Sequence, residues 1–183
     1  MNARGENMRV LFCRIGWAKF YCGDVNDKPI NGGSYNKNQN NVGYETYNFK
    51  NYDGKYYGYV RIRREWTIHL ERIENCPKKQ DELDGVLVIW LATKKSGGEY
   101  IVGWYKDATV FRKYKTVPDS ICNNRLPGHC IYHISSNDAV LLDEKERNCR
   151  IYGIGQFNYW FDEENTEKEK ALKFIKEYEL EHK

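Results

Sequence analysis

Long apolar runs are the first thing this sequence lacks. Of its 183 residues 40% are hydrophobic, and the longest apolar stretch, Gly85–Ala92 (GVLVIWLA), is strand-sized. A membrane-spanning helix needs about 20 such residues. No secretory signal opens the chain: Met1–Asn7 is polar, and Met8–Ile15 is too short for the apolar region of a leader and has no cleavage site. These absences exclude a membrane or secreted protein and predict a cytoplasmic one. An excess of one charge is also missing. Lys and Arg number 29 against 26 Asp and Glu, a net +3, which permits a local basic face without requiring one.

Enzyme and cofactor fingerprints are absent as well. There is no G-x-S-x-G, P-loop, G-x-G-x-x-G or H-E-x-x-H, and no zinc-deaminase pattern. The four histidines, His69, His129, His133 and His182, do not follow a metal-nuclease pattern. No cofactor is expected. Six cysteines at 13, 22, 76, 122, 130 and 149 show no repeated spacing. Without an export signal, reduced thiols are the expectation. Cys122, His129, Cys130 and His133 cluster in sequence, but His129 and Cys130 are adjacent rather than spaced as paired zinc ligands. No metal site is predicted.

What the chain has in abundance is aromatic side chains: Tyr 15, Phe 7 and Trp 5, or 15% of residues. A β core absorbs most of them. So many Tyr and Trp also suggest rings lining a ligand surface. Strands are expected at Arg9–Ile15, Lys55–Ile62, Trp66–Ile73, Val86–Ala92, Glu99–Tyr105, Thr109–Arg112, Cys130–Ser135 and Ala139–Asp143, with a hairpin turn at Gly97–Gly98. Between the first two lies a long polar segment, Gly23–Gly54, holding eight Asn. Its length makes it functional or disordered, and Tyr35, Tyr44, Tyr47 and Phe49 argue against disorder. Thr166-x-x-Glu169 is a capping box, and Ala171, Phe174, Ile175 and Tyr178 share one helical face. Many short strands and a terminal helix predict an α+β fold, a small, partly open β-barrel with helical decoration. The expected division is a tail over 1–7, a barrel domain over 8–161 and a C-terminal helix over 162–183 that leads onward.

Two kinds of chemistry fit these residues. Pro118–Asp119, followed at a distance by Asp143-Glu144-Lys145, has the order of a two-carboxylate Mg²⁺ nuclease. Asp119 and Asp143 would hold the metal and Lys145 would polarise water; the same residues also make ordinary turns. The other pattern sets rings beside Gly and amide or acidic groups: Gly16-Trp17, the run Val102–Thr109 and the run Gly153–Trp160. Ring faces stack on an unstacked base, and polar groups match its edge. Trp17 and Trp160 flank Gly-rich breaks and are expected as cage walls, Trp66 and Trp90 as core, and Trp104 as either. Tyr105 lies beside Trp104 in the same pattern. Asn158 and Asp107 are the choices for base-edge hydrogen bonds. Tyr35, Asn41, Tyr44 and Glu45 are expected to form a wall from the long loop. Arg61, Arg63 and Arg64, with Arg112, Lys113 and Lys115, would contact the nucleic-acid backbone; charged strand edges that resist aggregation look the same. A peptide- or protein-binding module could use the same aromatic surface.

The series MRVLFCRIGWAKFY, GGSY, NNVGYETYNF, GKYYGYV, VLVIWLAT, YIVGWYKDATVFR and GIGQFNYWF resembles an N-terminal domain of bacterial restriction-type proteins that stands ahead of nuclease or NTPase parts. It is more distantly similar to PUA-like barrels of the EVE and YTH groups. The resemblance runs from Met8 to about Tyr178. It implies a PUA-like barrel with flanking helices and a reader of modified, chiefly methylated, nucleobases that cages a flipped base between rings. The partner it implies is nucleic acid, DNA before RNA, with a nuclease or NTPase domain or subunit alongside and no membrane.

Overall fold

The computed structural model of the chain describes residues 8–30, 42–62, 67–74, 76–153, 158–161 and 166–182. Strand β1 (Val10–Ile15) lies parallel to β3 (Glu82–Thr93), with Val10 opposite Leu87 and Ile15 opposite Ala92. β3 turns back antiparallel into β4 (Glu99–Thr116) through a hairpin in which Lys94 N–H donates to Gly98 O. Gly97 and Gly98 sit at φ +92° and +86°, a left-handed geometry open to residues without Cβ, as the sequence predicts. The two strands expected at 99–105 and 109–112 are one. At Asp107, with φ 44°, β4 bulges against β3 and the ladder resumes beyond it.

Six strands run in the order β2-β5-β4-β3-β1-β8. Here β2 is Tyr56–Gly58, β5 is Ile131–Ser136 and β8 is Tyr159–Trp160. β4 is long enough to take three partners along one edge: β7 (Arg150–Ile151) at Glu99–Tyr100, β6 (Asp138–Leu141) at Gly103–Lys106, and β5 from Thr109 to Thr116. The result is a mixed, open sheet in an α+β fold. Its ends, β2 and β8, are not paired, so hydrogen bonding between strands does not close the expected barrel. A side chain spans the gap instead. Asn158, just before β8, donates through Nδ2 to Arg61 O at 2.7 Å, three residues beyond β2.

Both faces of the sheet are covered, which explains the unbroken apolar run in β3. Val86, Val88, Trp90 and Ala92 point to one core, with Leu11, Cys13, Ile15, Val102 and Tyr105. Leu87, Ile89 and Leu91 point to the other, with Phe12, Ile101 and Trp104, and helix α2 (Thr166–Glu181) covers it through Ala171 and Ile175. The first core is roofed by irregular chain. Ile68 and Leu70 are fully buried there, but the strand expected at 66–73 is, where described, a plug with a short 3-10 turn at Leu70–Arg72. Its alternation serves burial without a ladder. The strand expected at 55–62 likewise pairs with another strand only over Tyr56–Gly58, with Lys55 bridged locally to Tyr52. The long loop is ordered at both described ends. Trp17 and Ile30 exchange main-chain hydrogen bonds, and the Asp27 carboxylate accepts the N–H groups of Lys19, Phe20 and Tyr21.

Trp90 and Trp104 lie on opposite faces of the sheet and both are fully buried. Trp104 meets Tyr178 of α2 edge-on, with ring centroids 5.4 Å apart. Truncating either to Ala should cost about 3–5 kcal/mol through the cavity left behind, read as a lower denaturant midpoint. An unchanged midpoint in Trp104→Ala would sink its assignment to the core.

Candidate functional site

The tryptophans expected to form a cage do not converge. Trp17 belongs to the first core; its Nε1 donates to Glu144 Oε1 at 3.1 Å, and the Arg147 guanidinium lies 5.0 Å from its ring centroid. Arg147 is itself buried and donates to the carbonyls of Ala18, Lys19 and Leu142, so that face of Trp17 is taken. Trp160 packs on the opposite side of the sheet, 5.1 Å from Phe12. Trp104 is core beneath α2. Tyr105, next along β4, points into the other core and donates to Asn48 O. Strand alternation sends successive residues to opposite faces, so Trp104 and Tyr105 cannot share a cage.

Several other expected site residues have structural work. Glu45 is buried and accepts Gly16 N–H. Asn158 spends its Nδ2 on Arg61 O, and Asp107 is an exposed bulge residue. Arg112 donates to Gln80 O and pairs with Glu71 at 2.9 Å, which takes it out of a backbone-binding role. Lys113 and Lys115 are exposed on β4, and Arg61 is exposed beyond β2. Tyr35, Asn41, Arg63, Arg64 and Trp66 lie outside the described residues. The nuclease arrangement is not assembled either. Asp119 opens the short helix α1 (Asp119–Cys122) past the C-terminal end of β4. Asp143 follows β6, which pairs near the other end at Gly103, and it caps a 3-10 turn reciprocally with Glu146. Lys145 is exposed in that turn.

What the fold does bring together is a row of five rings: His129, Tyr44, Tyr59, His133 and Tyr114. Tyr44 stacks on His129 at 4.5 Å and 21°, and lies 4.9 Å from Tyr59. His133 is 5.5 Å from Tyr59 on one side and edge-on to Tyr114 at 6.4 Å on the other. Only Tyr44 was expected from the sequence. The other four come from segments that pattern reading treats as strand or turn.

Each ring has a local reason for its place. Tyr44 opens a 3-10 turn (Tyr44–Tyr47) pinned by Glu45 and by Tyr47 Oη, which accepts Leu126 N–H at 2.9 Å. Tyr59 follows β2, where the fully buried Asn48 amide acts as a substitute strand. Tyr59 N–H donates to Asn48 Oδ1 at 2.9 Å, and Asn48 Nδ2 donates to Tyr59 O at 3.0 Å. His129 has a main-chain carbonyl within reach of each ring nitrogen, Val42 O at 2.9 Å and Pro127 O at 3.2 Å, and a single tautomer donates to one of them. His133 sits in β5 beneath an irregularity. Between Val110↔Ile134 and Lys115↔Tyr132, β4 spends five residues where β5 spends two, and Lys113 and Tyr114 stand out to solvent there.

The turn carrying His129 is clipped at its base. Cys122 and Cys130 form a disulfide across eight residues, their Cα atoms 5.0 Å apart, where sequence reasoning expects reduced thiols. The short helix α1 doubles the chain back so that residues without a recognisable spacing meet. The other four cysteines, Cys13, Cys22, Cys76 and Cys149, are free. Among the described residues, no three His, Cys, Asp or Glu side chains are grouped to hold a metal ion.

Compared with known protein families, curated proteins and solved structures, the chain matches none.

His133 stands apart chemically. It is 2% exposed, and neither ring nitrogen has a hydrogen-bond partner. Burial lowers its pKa from 6.5 to about 4, so at neutral pH the ring is uncharged, with one N–H donor and one acceptor nitrogen. The folded value is depressed, so the native state refuses a proton that the unfolded chain accepts. Stability is therefore full above pH 6.5 and falls as pH drops from 6.5 towards about 4. The loss should reach about 3 kcal/mol at 1.36 kcal/mol per pKa unit. Denaturation midpoints of the wild type and His133→Phe across this range test it; equal slopes would refute it. Asn48→Ala should cost roughly 1–3 kcal/mol by leaving the Tyr59 main chain unpaired, and a smaller loss at neutral pH would remove Asn48 as the bracket.

Proposed function

We propose that this chain is a nucleic-acid-binding domain that takes an unstacked nucleobase against the Tyr44–Tyr59–His133 rings. The observation that carries the proposal is His133: a neutral imidazole, buried among rings, with an unused donor and an unused acceptor. A base edge supplies the matching groups, and ring faces are what an extruded base needs to recover its lost stacking. Lys113, exposed on the β4 bulge next to Tyr114, Lys115 where the ladder resumes, and Arg61 two residues beyond Tyr59 are the nearby cations in sequence that would supply positive charge. Phosphate contacts of this kind position a nucleic acid without reading its sequence.

The motif resemblance carries the proposal further, to DNA, a methylated base and a cytoplasmic restriction system whose nuclease or NTPase part acts on what this domain detects. A PUA-like barrel belongs to the same reading. The Asn158–Arg61 hydrogen bond, which draws the two ends of the open sheet together, supports it. The binding residues differ from those expected of a tryptophan cage, since tyrosine and histidine rings take that place.

Extruding a base costs a few kcal/mol, and each stacked ring returns about 1–3 kcal/mol. A methyl group in a fitted pocket adds about 1–3 kcal/mol, so selectivity should be 10- to 200-fold at most. Titration of short duplexes, with and without base methylation, at about 50 mM salt measures both terms. Tyr44→Ala should weaken binding by about 1–3 kcal/mol and leave the melting temperature near the wild-type value. Binding indifferent to Tyr44 and to His133→Phe would defeat the assignment of this site.

A further inference from the structure

Next to the ring row, the geometry points to a second site, one for a phosphate group held by Arg125 and Lys50. Arg125 is 8% exposed, and its guanidinium lies between two tyrosines, 4.8 Å from the Tyr47 centroid and 5.0 Å from Tyr52. Nε donates to Tyr52 Oη at 2.8 Å and Nη1 to His129 O at 3.1 Å. Nη2 is buried with no acceptor. Lys50 Nζ approaches the same two rings, 5.8 Å from Tyr47 and 5.6 Å from Tyr52. Among the described residues no carboxylate pairs with either cation.

Two like charges directed at one pair of rings repel, and a desolvated guanidinium without a counter-charge is costly. The tyrosine faces offset part of that cost. An anion between the two cations would offset more, and the spare Nη2–H is the donor it would use. Phosphate suits the planar fork of Arg125, with Lys50 as a point charge beside it. The site adjoins the base-binding rings: Arg125 holds the carbonyl of His129, and Tyr47, under the guanidinium, lies 6.0 Å from the His129 ring. Its assignment to a nucleic-acid phosphate rests on the base-binding reading. Its affinity for phosphate as such does not.

The test uses the full chain as wild type, Lys50→Ala and Lys50→Glu, with inorganic phosphate and a short labelled duplex as probes. Millimolar phosphate should raise the wild-type melting temperature more than that of Lys50→Ala, and should leave Lys50→Glu unmoved. The slope of log Kd against log salt for the duplex should fall by about 0.9 in Lys50→Ala, the share of one phosphate contact. A rise of equal size in all three proteins reports general salt stabilisation and, with an unchanged slope, overturns the site even where the duplex binds with methyl preference. Phosphate protection that depends on Lys50, in a chain that binds no duplex, keeps the site as one for a free phosphate group and rejects the nucleic-acid reading instead. Arg125→Lys, which keeps the charge and loses the fork, should retain the duplex slope but weaken phosphate protection several-fold; full retention would remove Arg125 from the site.

Discussion

One buried amide holds the candidate site to the sheet. Asn48 is fully buried, and its side chain makes both hydrogen bonds that a neighbouring strand would have made with Tyr59. Its carbonyl accepts the Tyr105 hydroxyl, from the middle of the longest strand. The loop that carries Tyr44 is thereby tied to the main chain that carries Tyr59 and to the core beneath both. An Asn in this position satisfies two main-chain groups that strand pairing leaves open, because β2 ends at Gly58. Gly58 itself has no room for more: a Cβ there would lie 2.5 Å from Trp90 Cζ2. The chain can pass over the core at that point only as bare backbone, and the amide of Asn48 then carries the polar bonds that follow.

The second constraint is the length of β4. A single strand that pairs β7, β6 and β5 in turn along one edge must accommodate three separate registers. Twist accumulates over such a length, and bulges absorb it. Each irregularity has a visible consequence. At Asp107 the strand steps past β3 with a left-handed residue. Between Val110 and Lys115 it departs from β5 and leaves His133 beneath a bowed segment rather than opposite an ordinary partner. The site thus follows from how the sheet manages its own geometry. The turn clipped by Cys122–Cys130 then supplies His129 and Arg125 from the side.

The regular parts of this fold were legible because their signals are local. The β3–β4 hairpin is written in Gly97–Gly98, β1 in its alternation, and α2 in the spacing of Ala171, Ile175 and Tyr178. The apolar run of β3 marked a strand, though not that its two faces are buried in separate cores. The site was mostly illegible. Trp17 and Trp160 stand beside glycine-rich breaks, which mark a change of chain direction but do not say which side of the sheet a ring reaches. His129 and His133 drew notice through Cys122 and Cys130, as zinc ligands to be set aside. Their actual neighbours, Tyr44, Tyr59 and Tyr114, come from other segments and are joined only by tertiary contacts. Arg125 offered no signal, since a lone arginine in a polar turn looks solvent-exposed. Cys122 and Cys130 could not be paired from spacing, because the pairing depends on the short helix between β4 and β5.

Unpaired buried polar groups separate the two interpretations of aromatic richness. Trp90 and Trp104 each bury an indole N–H without an acceptor, a cost of a kcal/mol or more that a large apolar ring in a packed core outweighs. His133 has no such compensation. It is smaller, it leaves both nitrogens unpaired, and Phe would fill the same volume without the polar cost. Among the described residues it is the one side chain with two unpartnered buried nitrogens. Arg125 repeats the pattern with one nitrogen and a full charge. An imidazole with two unpartnered nitrogens and a guanidinium with one thus lie buried in the same part of the fold. On the proposed reading, a base edge would meet the unpaired nitrogens of His133 and a phosphate the spare Nη2–H of Arg125.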